Sequence, residues 1–136
     1  MALTILLDEN IEGYAEYLAR FVFSPEWNDI GTLLGVRIVT FDQVGLAKGI
    51  SDEQVWDFCQ QHLFYLLTDN RNDDKPDSLE AIIRTRTLPS SLPVFTISDI
   101  NRFRSERQYT EALVAKLLEY LFDAGNLVGA GRLYLP

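Results

Sequence analysis

A chain of 136 residues with 47% apolar and 24% charged side chains has the composition of one folded domain spanning 1–136, which excludes a disordered or a fibrous reading. Its formal net charge of −8 disfavours extended contact with nucleic acid, because phosphate binding draws on clustered Lys and Arg. Cys59 is the one cysteine and cannot close an internal disulfide, no charged leader precedes an apolar run, and no run approaches the about 20 residues that span a bilayer. A reducing, cytoplasmic setting without a membrane is therefore expected.

The first apolar run, Thr4 to Leu7, is too short for a helix and stops at Asp8-Glu9-Asn10, which predicts a buried strand followed by a polar loop. Asn10 is placed to cap the first helix. From Ile11, the spacing of Tyr14, Ala15, Leu18, Ala19, Val22 and Phe23 describes one face of that helix, which ends before Pro25. Trp27 to Leu34 predicts a second short helix closed by Gly35, and Val36 to Phe41 is a β-branched strand bounded by Asp42, with a loop from Gly45 to Gly49.

Ser51-Asp52-Glu53-Gln54 has the form of a capping box, and Val55, Trp56, Phe58 and Cys59 carry the pattern on into a helix whose first turn holds two carboxylates. Phe64 to Thr68 is the third strand, and the run from Asp69 to Asp77 is too rich in turn residues to be core. Ser78 caps a helix with Leu79, Ala81, Ile82 and Ile83 on its apolar face. Pro89 to Pro93 form a stiff connector, Val94 to Ile97 a fourth buried strand ending at Asp99, Arg107 to Phe122 a long helix, and Arg132 to Leu135 an edge strand. The alternation β-α-α-β-α-β-α-β-α-β predicts a three-layer α/β/α sandwich on a mostly parallel sheet.

If the first and third apolar runs are parallel strands, Asp8-Glu9 and Asp69 share the carboxyl edge of the sheet, where α/β proteins place their sites. Carboxylates gathered there repel one another and raise a pKa unless a cation compensates, which points to Mg²⁺ or Mn²⁺ bound by hard oxygen donors. Such an ion can position and deprotonate a water for attack on a phosphodiester. For Asp52 and Glu53 a second explanation stands beside this one. Acidic residues in a first helical turn stabilise it by about 0.3–1 kcal/mol each through the macrodipole. Asp73, Asp74 and Asp77 read as loop solvation, and His62, near a helix end, as a surface or C-terminal charge. Gly129-Ala130-Gly131 precedes a strand rather than following one, so it reads as a turn. Arg84, Arg86, Arg102, Arg104 and Arg107 fall in one stretch and predict a local positive patch.

Three segments, Ile5-Leu6-Leu7-Asp8-Glu9-Asn10, Gly45-Leu46 leading to Ser51-Asp52-Glu53-Gln54-Val55, and Leu66-Leu67-Thr68-Asp69-Asn70, resemble in order and spacing the motifs of PIN-like proteins of the DUF5615 (Mut7-C-related) type, over about the first 75 residues. The resemblance implies a PIN-like fold and a metal-dependent endoribonuclease. Asp8, Asp52 or Glu53, and Asp69 would be its catalytic carboxylates, and Asp8, Glu53 and Asp69 the first choice of ligands for Mg²⁺ or Mn²⁺. It also implies a role as a toxin–antitoxin component, so the partners expected are RNA, an antitoxin-like protein and a second copy of the chain. The family commonly carries a second Asp two residues after the Thr-Asp motif, where this chain has Arg71. That departure and the net charge support an alternative, a non-catalytic binding module on the same fold. A phosphorylation receiver shares the acidic pattern but needs a Lys after a late strand, and none follows Val94 to Asp99.

Overall fold

A computed structural model describes residues 2–72 and 75–136; Asp73 and Asp74, read above as loop solvation, lie outside the described residues. Five strands, β1 (Leu3–Leu7), β2 (Val36–Val39), β3 (Tyr65–Thr68), β4 (Val94–Ile97) and β5 (Arg132–Leu135), form one sheet in the order β2-β1-β3-β4-β5. Every pairing is parallel, including that of the edge strand β5 with β4. Parallel strands need crossovers, and those run through α1 (Ala15–Val22), α2 (Asn28–Leu33), α3 (Phe41–Val44), α4 (Asp52–His62), α5 (Leu79–Arg86), α6 (Ile100–Ser105) and α7 (Arg107–Phe122).

The pleat sends alternate residues to opposite faces, and both faces are covered. Ile5, Leu7, Tyr65, Leu67, Phe95 and Ile97 meet α1, α6 and α7 through Leu18, Val22, Phe103, Leu113 and Leu117. Leu6, Val39, Leu66 and Val94 meet α3, α4 and α5 through Phe41, Val55, Cys59 and Ile82. The result is a three-layer α/β/α sandwich. Among the described residues, no helix is long and apolar enough to cross a membrane.

Four local expectations are corrected. The helix anticipated from Ile11 begins as a 3-10 helix, Glu9–Tyr14, and becomes α-helical only at Ala15. Its cap is Asp8 rather than Asn10, because the Asp8 carboxylate accepts the Glu9 N–H. The strand anticipated to Phe41 stops at Val39: Thr40 and Gln43 close a capping box and Gly45, at φ 79°, ends α3 after one turn. Helix α6 was not anticipated; Asp99 caps it by accepting the Arg102 N–H at 3.1 Å. The expected boxes and caps at Ser51 and Ser78 do form.

The expected positive patch does not. Arg84 pairs with Glu80, Arg86 with Glu53 and Asp57, Arg102 with Glu106, and Arg107 with Glu111, so carboxylates one turn away or on a neighbouring helix neutralise four of its five members.

Candidate acidic site at the carboxyl edge

In the order β2-β1-β3-β4-β5 the winding reverses between β1 and β3, and such a reversal leaves a crevice outside the carboxyl ends of the two strands. Asp8 leaves β1 there with its N–H still donated to the Leu67 carbonyl at 2.8 Å, and Asp69 leaves β3 one residue after Thr68. The first turn of α4 reaches the same edge. Asp8, Glu9, Asn10, Lys48, Asp52 and Asn70 thus line one open cleft of about 590 Å³.

The half-buried Asp8 carboxylate is held at both oxygens. Oδ1 accepts the Glu9 N–H at 2.8 Å and Oδ2 accepts the Thr68 hydroxyl at 2.6 Å. The Thr68 hydroxyl accepts in turn from the Asn70 N–H at 2.9 Å, and Asn70 Nδ2 donates to Asp52 Oδ2 at 3.4 Å. Asn10 Nδ2 donates to Asp69 Oδ1. On the far wall, Glu9 Oε1 accepts the Gly49 N–H at 2.9 Å and so ties down the loop before α4.

Burial pushes the Asp8 carboxyl above its ordinary range; the bonds from Thr68 and Glu9 oppose that, and the charges of Asp52 and Asp69 add to it. Charge at Asp8 is therefore incompletely balanced by its hydrogen bonds. The carboxylates of Asp8, Glu9 and Asp52 put oxygens on the cleft wall, the chemistry that suits Mg²⁺ or Mn²⁺. As the side chains stand, no group of three or more His, Cys, Asp or Glu among the described residues closes around a point that would hold an ion. The residue types fit a hard cation, with Asp8 and Asp52 on the cleft wall and Asp69 turned toward Asn10.

The choice left open between Asp52 and Glu53 divides by direction. Asp52 lines the cleft, whereas Glu53 pairs with Arg86 of α5, 3.0 Å away, whose guanidinium lies over the Trp56 ring. Successive helical residues point about 100° apart, which here turns Asp52 to the cleft and Glu53 to the neighbouring helix. Of the two, Asp52 stands on the cleft wall and Glu53 does not. Arg71, where the family pattern places an acid, is exposed. Trp56 is core, and His62 is exposed, its ring stacked on Phe58.

One contributor had no signal in its own neighbourhood. Arg132, on β5, lies nearly buried and donates to the Asn70 carbonyl at 2.9 Å and to Thr96 Oγ1 at 2.6 Å while pairing with Glu80 at 3.0 Å. It thus pins the backbone of Asn70, which carries the link between Asp8 and Asp52. Sixty-two positions separate the two residues, and only the sheet order brings them together. No model of a known protein family, no curated protein and no solved structure matches the chain.

Proposed function

We propose that the chain is a PIN-like endoribonuclease of the cytoplasm that cleaves RNA with the aid of Mg²⁺ or Mn²⁺ at the carboxyl edge, and that it acts as the toxin-type member of a toxin–antitoxin pair. One observation carries this reading: three separate elements bring Asp8, Asp52 and Asp69 to the strand-order reversal, near enough that the charges of Asp52 and Asp69 both bear on the buried side of Asp8. Asp8 caps the 3-10 helix and Asp52 suits the first turn of α4, but their proximity, and that of Asp69, raises the cost of ionising Asp8.

Asp8 is the central group, oriented by the Glu9 N–H and the Thr68 hydroxyl. Asn70 orients Asp52, and Asn10 orients Asp69. Asp8 and Asp52 would hold the cation with Asp69 nearby, and the cation would supply Lewis acidity and an acidified water. The carboxylates themselves repel the phosphodiester until that charge is offset, which makes activity depend on the metal.

The test is cleavage of a mixed-sequence RNA in Mn²⁺ by wild type, Asp8→Asn, Asp52→Asn and Glu53→Gln. Cleavage that requires metal, is lost in the first two variants and persists in the third is the expected result. Absence of cleavage by wild type in every metal tried would favour the second reading, a non-catalytic binding module. That reading draws on Arg71 in place of the family's further acid and on the hydrogen bonds that already occupy both Asp8 oxygens.

A further inference from the structure

At the amino ends of the strands, the edge opposite the acidic cleft, the chain leaves an apolar face uncovered. Two adjoining concavities form it. One, of about 460 Å³, is walled by α2 and α7 through Trp27, Ile30, Leu118, Glu119 and Phe122. The other, of about 450 Å³, is walled by Leu3 and Tyr65, which open β1 and β3, and by Leu33, Phe122 and Val128 among others. Phe122 belongs to both, so the two meet there.

Large apolar side chains stand out of this face: Leu33 is 74% exposed, Phe122 71%, Val128 41% and Ile30 37%. Scattered singly, such residues need no explanation; contiguous and rimmed by polar groups, they mark a docking site. Trp27, in the wall of the first concavity, has its indole N–H enclosed without an acceptor, although a buried tryptophan ordinarily finds one. The charge around the face has one sign. Helix α2 and the stretch from Lys116 to Val128, which supply most of it, carry Asp29, Glu119 and Asp123 against Lys116 alone, and Lys116 is taken up by Glu119 at 3.7 Å. Asp29 and Asp123 are exposed and have no ion-pair partner among the described residues.

We infer that this face docks a basic amphipathic helix of another protein, with apolar side chains seated in the two concavities beside Phe122 and lysines or arginines against Asp29 and Asp123. Such a helix sets its anchors at i, i+3, i+4 and i+7 along one side, a spacing that adjoining hollows accept. A second copy of the chain fits less well on two counts. It brings the same acids to the contact, from a chain of net charge −8. The four side chains also expose the equivalent of about two whole ones, roughly 300–500 Å² at the 150–250 Å² of an aromatic, against about 800 Å² per partner in a stable interface. The sign of the rim likewise opposes an anionic membrane. Docking here leaves the acidic cleft open, and the inference does not rest on RNA cleavage.

The experiment is fluorescence anisotropy of a labelled synthetic peptide about five turns long, with Leu at the anchor spacing and Lys elsewhere, titrated in EDTA with wild type and variants. Saturable binding is expected. Leu33→Ser and Phe122→Ser should each weaken it about tenfold, the loss of one buried apolar contact, while Leu88→Ser, exposed but outside the face, leaves it unchanged. Asp29→Asn combined with Asp123→Asn should weaken binding severalfold and flatten its dependence on salt. Leu33 and Phe122 are largely exposed, so thermal melts of their variants should match wild type and separate a lost contact from a lost fold.

Binding indifferent to Leu33 and Phe122 overturns the inference, as does equal binding of a scrambled peptide of the same composition, equal binding of a peptide with Glu in place of Lys, or no saturable binding. Dimerisation in sedimentation that Leu33→Ser abolishes would give the face to a second copy, and binding to phosphatidylserine vesicles lost in that variant would give it to a membrane; either overturns it too. Peptide binding in EDTA and Mn²⁺-dependent RNA cleavage are separate readouts, so neither proposal fails through the other.

Discussion

Replacing Asp8 by Asn separates a functional carboxylate from a structural one, because Asp8 carries two opposed contributions to stability. Its Oδ1 caps the 3-10 helix through the Glu9 N–H, and loss of such a cap costs about 0.5–2 kcal/mol. Against that, burial and the charges of Asp52 and Asp69 raise its pKa in the folded protein. Between the unfolded value and the raised folded one, the folded protein holds more protons than the unfolded chain, so stability is greatest below that window and falls as pH rises through it. Each unit of elevation corresponds to about 1.4 kcal/mol lost at neutral pH. An Asn keeps an oxygen for the Glu9 N–H, and its amide nitrogen can donate to Thr68 Oγ1 where the carboxylate now accepts. The cap therefore survives the substitution, and the ionisation penalty does not. In EDTA, Asp8→Asn should be as stable as wild type or up to about 1 kcal/mol more stable at neutral pH, with the advantage vanishing in acid. Urea melts of both proteins from acid to neutral pH measure this. A loss of more than about 1 kcal/mol at neutral pH would assign Asp8 to the scaffold and refute the reasoning.

Mn²⁺ at a hundredfold excess over its Kd should stabilise the protein by about 2.7 kcal/mol in thermal melts, a gain removed by Asp52→Asn or Asp69→Asn and kept by Glu53→Gln; no shift at any Mn²⁺ concentration would count against a metal site. Arg132→Ala leaves the Asn70 carbonyl and the Thr96 hydroxyl without their donor and should cost about 2–3 kcal/mol in urea melts; a cost near zero would show that the guanidinium pins nothing. Leu63 ends α4 at φ 57° while largely exposed, so Leu63→Gly should stabilise by about 0.5–1 kcal/mol, and destabilisation would mean that its side chain packs more tightly than its exposure indicates. Burial pushes the Cys59 thiol up to about 12, so iodoacetamide at mildly alkaline pH should leave it unmodified in the native protein and label it rapidly in urea.

Much of this architecture was legible in the chain because it is locally encoded. Four of the strands are short apolar runs with abrupt polar ends, Ser51 and Ser78 announce their helices by capping chemistry, and α7 falls on Arg107–Phe122 as its apolar spacing indicates. The errors were also local. A Thr-x-x-Gln box at Thr40 was masked by the β-branched run before it, and the cap at Asp99 was noted only as a strand end. Asp8 looked like a loop residue ahead of a cap at Asn10, since a 3-10 turn carries no 3.6-residue period to reveal where it starts.

From the sequence by itself came the layer architecture, the parallel sheet and the acidic character of one edge, since hydrophobic period and turn chemistry are properties of neighbouring residues. What only the tertiary structure decided was which acids share that edge and what surrounds them. Asp52 enters the cleft and Glu53 leaves it because adjacent helical positions point about 100° apart. The basic stretch loses its charge to partners one turn or a helix away, and Arg132 reaches Asn70 across β4 because the strand order sets β5 beside it. These are contacts between residues remote in the chain, so they depend on how the elements pack, and no local pattern carries that information.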